Sequence, residues 1–497
     1  MKIEIDLAKL SSSKDSNWTK LVAASKRGDL PELYKTASKL LKREPGHQLL
    51  LRLVIYSSKH NKNTWHDVYR LKDLIRFTGR LAEPIDCECV LMLIDIIEAF
   101  EGTLKAIRYA APIIETISDE MPPFYAELLF STLGVKFQYL GERELADKYH
   151  EKALQRSHSG FLASYNKAMS DIWFGRFRAA LERYPIRWSW PEFPSIERKF
   201  KIPKADLYDT SLRDCKVFVW AEQGIGDQIV WSQVIATLVG EGWTGITLEL
   251  HQKLVPLFVN SFDQVNVVAQ PTMKSEFDST GDDRFDRFDY HIPLYELYLF
   301  VNESYEHYKS AQPFLTVDES MGREFRTKIQ AQFPGKFIVG IHWSSSLQDP
   351  VRNMTYMDED CLARLSALND RVIFVSFHYG MTSQQVSEVR EKTGLAVIGI
   401  DGVNQKDNLY LATSLMTACD GFIGVYSAPT WQAAFAGVPT LAIRFQENCE
   451  KLPEHPQFVT SVKPLMGSIF EKPQFMEFLV TNFDSVIGWF KSIRDIN

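Results

Sequence analysis

From Lys216 onward the chain is written as two series of short β-branched runs, each followed by a stretch of helical periodicity. The first series is KVFVW, GITLEL, VNVVA and FDYHIPL; the second is FIVGIHW, RVIFVSF, LAVIGI, GFIGVY and TLAI. Strands that alternate with helices are joined by crossovers, which make the strands parallel and lay the helices on the sheet faces. Two such series, divided near residues 325–335, predict two Rossmann-like halves of α/β class with the natural ligand site in the cleft between them. The closing segment FDSVIGWFKSIRDI reads as an amphipathic helix packed back on the catalytic part.

Residues 1 to about 190 carry no such runs and have the punctuation of helix pairs. Gly28 ends one amphipathic segment, and Pro45 follows a second. Gly141 is followed by Ala146 and Ala153, and Gly175, thirty-four residues after Gly141, is followed by Ala180. Small residues at those offsets let antiparallel helices approach closely, and a 34-residue period belongs to tetratricopeptide-like repeats. A plain helical bundle is the alternative, but period and small-residue placement agree on the repeat. The pairs at about 47–80 and 86–118 follow the pattern more loosely. Pro191, Pro194 and Pro203 then punctuate a passage that ends the helices. The expected division is a helical-repeat domain at 1–190, a first Rossmann-like half at 205–325 and a second at 330–497.

At 497 residues the chain is too long for one ordinary core. A net charge of -7 without a long block of either sign argues against a nucleic-acid partner. Cys87, Cys89, Cys215, Cys361, Cys419 and Cys449 are scattered without a metal-binding spacing, which suits reduced thiols. No window reaches the roughly 18 apolar residues a membrane span needs, and the first residues lack an apolar leader core. The expectation is a cytoplasmic protein without a transmembrane segment. No D-x-D sits at a strand end, and GDDRFDRFD reads as a solvated loop. No metal or other cofactor is expected.

The segment WAEQGIGDQIVW follows the run VFV. It lacks the third glycine of a dinucleotide fingerprint and the Gly-Lys-Ser/Thr of a Walker loop. Gly224 and Gly226 would let a ligand approach the backbone where the strand turns into a helix. Asp227, in the first helical turn, either accepts a proton from an attacking hydroxyl or only caps the helix. Glu222 and Gln223 are substrate contacts or polar strand ends. A second anchor is GVYSAPTWQAAFAGVP, where Ser427 can cap a helix, Pro429 suits its first turn, and the amides of Ala428 to Trp431 would face an anion. In GIHWSSSLQDPVRNMTY, Ser344, Ser345 and Arg352 could grip a diphosphate beside Trp343, or Arg352 is a surface ion-pair partner. His291, after an apparent strand, is an acid, base or acceptor contact, or structural. Asp407 caps a helix or touches a sugar.

Taken together and in this order, GRFRAALERYPIRWSWPEF, VFVWAEQGIGDQIVW, FDYHIPL, GIHWSSS with Arg352, and GFIGVYSAPTWQAAFAGVPT resemble tetratricopeptide-repeat proteins with a C-terminal glycosyltransferase region. That region is similar to the ADP-heptose:lipopolysaccharide heptosyltransferases, which have the GT-B fold. The resemblance spans about residues 120–450. It implies transfer of a sugar from a nucleotide sugar without an obligatory metal, with 205–325 as the acceptor side and 330–497 as the donor side. It makes Asp227 the general base, with Glu222, Gln223, Gly224, Gly226 and His291 on the acceptor side. The donor would meet Trp343, Ser344, Ser345, Arg352, Asp407 and the run Tyr426, Ser427, Ala428, Pro429, Thr430 and Trp431. The chain departs from the family where Tyr426 replaces an aspartate, Trp431 replaces a histidine, and polar groups are lost near the donor. The donor therefore need not be ADP-heptose: a hexose, a heptose or a nonulosonic acid on CMP all fit.

Three functions compete at this level. The first is a glycosyltransferase whose repeats recruit a protein acceptor, flagellin or another surface protein, with a homo-oligomer compatible. The second is a noncatalytic scaffold with a degenerate transferase region, motivated by Tyr426 and Trp431. A dehydrogenase is the third and lacks its last glycine.

Overall fold

The computed structural model describes residues 16–77, 81, 83–157, 160–190, 193, 195, 197–272, 278–302, 311–345, 350–378, 381–400, 402–447, 461–469 and 471–496. Pro191, Pro194 and Cys449 of the sequence reading lie outside them. The chain forms two compact units, Met1–Ser170 and Asp171–Asn497.

The first unit is a run of helix pairs. Ser16–Arg27 packs with Leu30–Leu41, Pro84–Glu101 with Thr103–Ile114, and Pro123–Tyr139 with Arg143–Arg156. Gly141 turns the last of these pairs at φ +72°, a left-handed conformation that glycine adopts without penalty. Ala146 and Ala153 are fully buried, so the small residues of the pattern do sit where helices meet. Contacts between successive pairs recur at the repeat length. Tyr149 Oη donates to Glu115 Oε1 at 2.8 Å, the sulfurs of Cys87 and Met121 lie 3.5 Å apart, and Arg52 pairs with Asp86, each joining residues 34 apart. The loosest pair has a physical reason: after Gln48–Ser57 two 3₁₀ turns intervene, leaving only Trp65–Tyr69 as its second helix.

The second unit holds the strands: β1 Lys199–Phe200, β2 Val217–Trp220, β3 Ile246–Leu250, β4 Asn266–Ala269, β5 Asp278–Ser279 and β6 Tyr290–Pro293. They are followed by β7 Phe337–His342, β8 Val372–Ser376, β9 Val397–Ile398, β10 Gly421–Val425, β11 Thr440–Phe445 and β12 Val462–Gly467. One sheet has the order β4-β3-β2-β6 and the other β12-β11-β10-β7-β8-β9, and every pairing in both is parallel. Counted from its first strand, the larger sheet reads 3-2-1-4-5-6, the doubly wound dinucleotide-fold order. The smaller reads 3-2-1-4.

Both faces of the larger sheet are covered, as all-parallel sheets require. Val339, Ile341, Phe374 and Ile423 pack on one side with the C-terminal helices, and Ile338, Ile373, Val375 and Phe422 pack on the other. The terminal helix Phe483–Ile496 contributes Phe483, Ile487 and Phe490 to the first of these cores. The chain is therefore an α plus α/β protein, with tetratricopeptide-like helices ahead of a GT-B arrangement of two Rossmann-like halves. Three strands had no separate signal in the sequence. These are β12, at the edge of the larger sheet, and the two-residue pair β1 and β5.

Candidate functional site

In a doubly wound sheet the crevice opens where strand order reverses, beside the carboxyl ends of the first and fourth strands. In the first half those strands are β2 and β6, and in the second β7 and β10. The segments that follow β2, β7 and β10 are WAEQGIGD, WSS and YSAPTW. Topology thus delivers three sequence motifs to the two places where a ligand can sit.

After β2 the backbone makes a strained turn. Gln223 has φ +61°, the left-handed region, which costs a non-glycine residue roughly 1–2 kcal/mol. Its N–H donates to Ser195 Oγ at 2.7 Å and its side-chain amide to Tyr184 Oη at 2.7 Å, while Gln228 Nε2 donates to its carbonyl at 3.2 Å. The helix Ile225–Trp231 then starts, with Asp227 in its first turn accepting from the Gly224 N–H at 3.2 Å. Asp227 is exposed, and the protein around its carboxylate partly desolvates it. That desolvation raises its pKa above the aspartate reference against the pull of the Gly224 amide. Capping uses one of its oxygens, so the two sequence readings of Asp227 are compatible.

Glu222 is fully buried and faces away from solvent. Both of its oxygens accept from Arg187, at 2.8 Å each. Arg187 also donates to Glu296 at 3.0 Å and lies between the rings of Tyr184 and Trp188. Burial works against its charge, but Glu222 and Glu296 raise its pKa further still. His291, in β6, accepts from the Trp220 indole N–H at 3.2 Å and packs on Phe200. Burial lowers its pKa to about 4, so it is a neutral acceptor at pH 7.

The turn after β10 is built differently. Ser427 is the N-cap residue of Ala428–Phe435, but its hydroxyl donates back to Val425 O at 3.1 Å. Thr430 Oγ1 donates to the same carbonyl at 2.6 Å. Pro429 has no N–H, and the Trp431 N–H donates to Ser427 O. The amides of Ala428 and Thr430 find no acceptor among the described residues. Thr430 is fully buried and Ala428 partly exposed, so the Ala428 N–H is the donor this helix start offers an anion, beside the positive end of its dipole. Tyr426 meets the edge of Trp431 at 5.2 Å, and the Arg444 guanidinium lies 5.8 Å from the Tyr426 ring and 5.0 Å from Trp173.

These two turns touch. The helix Ile225–Trp231 packs against Ala428–Phe435, and a β-carbon placed on Gly226 would lie 3.4 Å from the N, Cα and Cβ of Ala428. The Asp227 turn therefore comes close to the open amide of Ala428, with room at Gly226 for one further carbon and no more. Residues about two hundred positions apart thereby meet in space.

Of the other predicted residues, Ser344 Oγ lies 2.8 Å from His378 Nε2, and the His378 ring meets Trp343 tilted at 38°, 4.7 Å between centroids. His378 escaped the sequence reading; its only signal is its place just past β8, beside the end of β7. Ser345 is half-buried next to Ser344, and Arg352 is exposed on Pro350–Met354. The chain between them, 346–349, lies outside the described residues. Asp407 does not cap a helix. Asn408 caps Leu409–Met416, while Asp407 pairs with Lys253 at 2.5 Å, an ion pair that links the two halves and lowers the Asp407 pKa.

No protein-family model matches the chain. It is 25% identical over 309 residues to Protein FlbA of Caulobacter vibrioides, a match covering 60% of this chain and about half, 51%, of that protein. Among solved structures it is similar to the glycosyl transferase family 9 protein of Veillonella parvula, with a TM-score of 0.39, 13% identity, and coverage of 50% of this chain and 86% of that one. It is also similar to the ADP-heptose lps heptosyltransferase II of E. coli, with a TM-score of 0.38, 12% identity, and coverage of 54% and 99%. At identities this low, function has to be argued from the geometry of the site.

Proposed function

We propose that the protein transfers a sugar from a nucleotide-sugar donor to an acceptor hydroxyl, with Asp227 as general base. The observation that carries this reading is the contact of two turns at two switch points. One holds a solvent-reached carboxylate of raised pKa, the other the open helix amide of Ala428. A carboxylate facing the acceptor can take the hydroxyl proton as the anomeric carbon is attacked. Amides at a helix start stabilise the departing nucleotide phosphate without a metal ion. Ser344 and Arg352 stand on the donor half as further diphosphate contacts.

The acceptor we assign is a protein, flagellin or another surface protein, recruited by the helical repeats; a stacked-repeat surface suits extended polypeptides. The donor sugar is read as a hexose, a heptose or a nonulosonic acid. Tyr426, Trp431 and Arg444 form the wall that selects among them.

The test is sugar transfer to a protein acceptor by wild type and by Asp227→Asn. Turnover in wild type that collapses in the variant is expected, while equal turnover removes Asp227 as base. Tyr426 and Trp431 also motivate a noncatalytic scaffold. Calorimetry against nucleotides and nucleotide sugars separates the two, since a scaffold with a degenerate site binds none of them.

A further inference from the structure

We infer that Tyr184, Arg187 and Ser195 form a positioning clamp that holds the Glu222-Gln223 backbone in its strained turn and so aims Asp227. The inference rests on the reading of Asp227 as base. A left-handed glutamine persists only where its surroundings over-determine it. Here they do: Ser195 takes its N–H, Tyr184 takes its side-chain amide, and Arg187 fixes the preceding residue through both oxygens of Glu222.

Glycine would take the same φ without strain. A glutamine in its place makes the turn depend on its partners, and the four residues after it lead directly to Asp227. Two further bonds extend the frame on the other side. Gln228 Nε2 donates to the Gln223 carbonyl, and Gln228 Oε1 accepts from the His251 N–H at 2.8 Å. The turn is thus held between the segment around Tyr184–Ser195 and the end of β3. Positioning of this kind acts on turnover, because a small misplacement of a catalytic group lowers the rate more than it lowers binding.

Tyr184→Phe tests the clamp by removing one hydroxyl from a fully buried ring that stays packed on Tyr295. The expected result is a kcat about tenfold lower, a donor KM within about twofold of wild type, and faster amide hydrogen exchange across residues 223–227. Gln223→Gly should lower kcat similarly, and the double variant should lose no more than either single one. Should Tyr184→Phe fail to fold, Ser195→Ala removes the other bond and is read in the same way. Wild-type kcat and unchanged exchange across 223–227 in a folded Tyr184→Phe or Ser195→Ala protein would overturn the clamp. Exchange reports on the turn whether or not the protein transfers sugar. An active Asp227→Asn variant would therefore defeat the base while leaving the clamp to stand or fall on its own measurement.

Discussion

The turns after β2 and β10 both lie where the strand order of their sheet reverses, one after a first strand and the other after a fourth, yet they are made of opposite materials. The first is charged and over-tied: Asp227 at the helix start, Glu222 locked to Arg187, Gln223 strained between Ser195 and Tyr184. The second offers the Ala428 backbone amide among Tyr426, Trp431 and the Arg444 guanidinium. A proton acceptor has to be aimed, so its turn is held by side chains. A proposed anion site needs only an exposed amide at a helix start, and this turn is held by its own hydroxyls bonding back to Val425. The difference is what the proposed function rests on in giving the acceptor chemistry to one half and the leaving group to the other.

The largest effect expected from breaking this division is at the charged turn. Asp227→Asn should lower kcat about a hundred- to ten-thousand-fold with donor affinity unchanged, measured by initial rates and calorimetry. Asparagine can still accept from the Gly224 N–H, so a mere capping role would leave activity intact. A base must be deprotonated, and the Asp227 pKa is raised by desolvation. The acid limb of the kcat/KM profile should therefore lie above 3.8, the aspartate reference, and vanish in the variant.

Next in size is the contact itself. Gly226→Val would drive its methyl groups into Ala428 and wedge the two turns apart. Donor affinity and turnover should fall together, by about a hundredfold in kcat/KM. Gly226→Ala, whose β-carbon just fits at 3.4 Å, should stay within about threefold.

On the donor half, His378→Ala removes the partner of Ser344 and should raise donor KM about five- to tenfold with kcat preserved. Smallest of all is the ion pair between the halves. Lys253→Ala should change kcat/KM by less than about fivefold, because Asp407 is largely exposed and the pair is screened by solvent.

Much of the fold was legible because its signal is local. Runs such as VFVW and FIVGIH are β-branched and buried, and they lie in parallel sheets where the alternation with helices puts them. The repeat was legible through Gly141, Ala146 and Ala153, whose positions are dictated by helix approach. The two-residue β1 and β5 are too short for any periodicity, and β12 contains Pro464, which disguises it. At the site, the segments around Asp227 and Ser427 could be singled out as strand ends rich in turn residues. Their contact could not, because nothing near Gly226 in the chain announces Ala428. Nor could the ties of Glu222 to Arg187 and of Ser344 to His378, each a pairing between separate elements.

The central claim is that the helix start at Ala428 holds the leaving group while Asp227 faces the acceptor. A structure of the protein with a bound nucleoside diphosphate tests it most directly. The account predicts the terminal phosphate within hydrogen-bonding distance of the Ala428 amide, with the Asp227 carboxylate on the open side of that phosphate. A nucleotide seated in the first half, against Gly224 and Asp227, would contradict it.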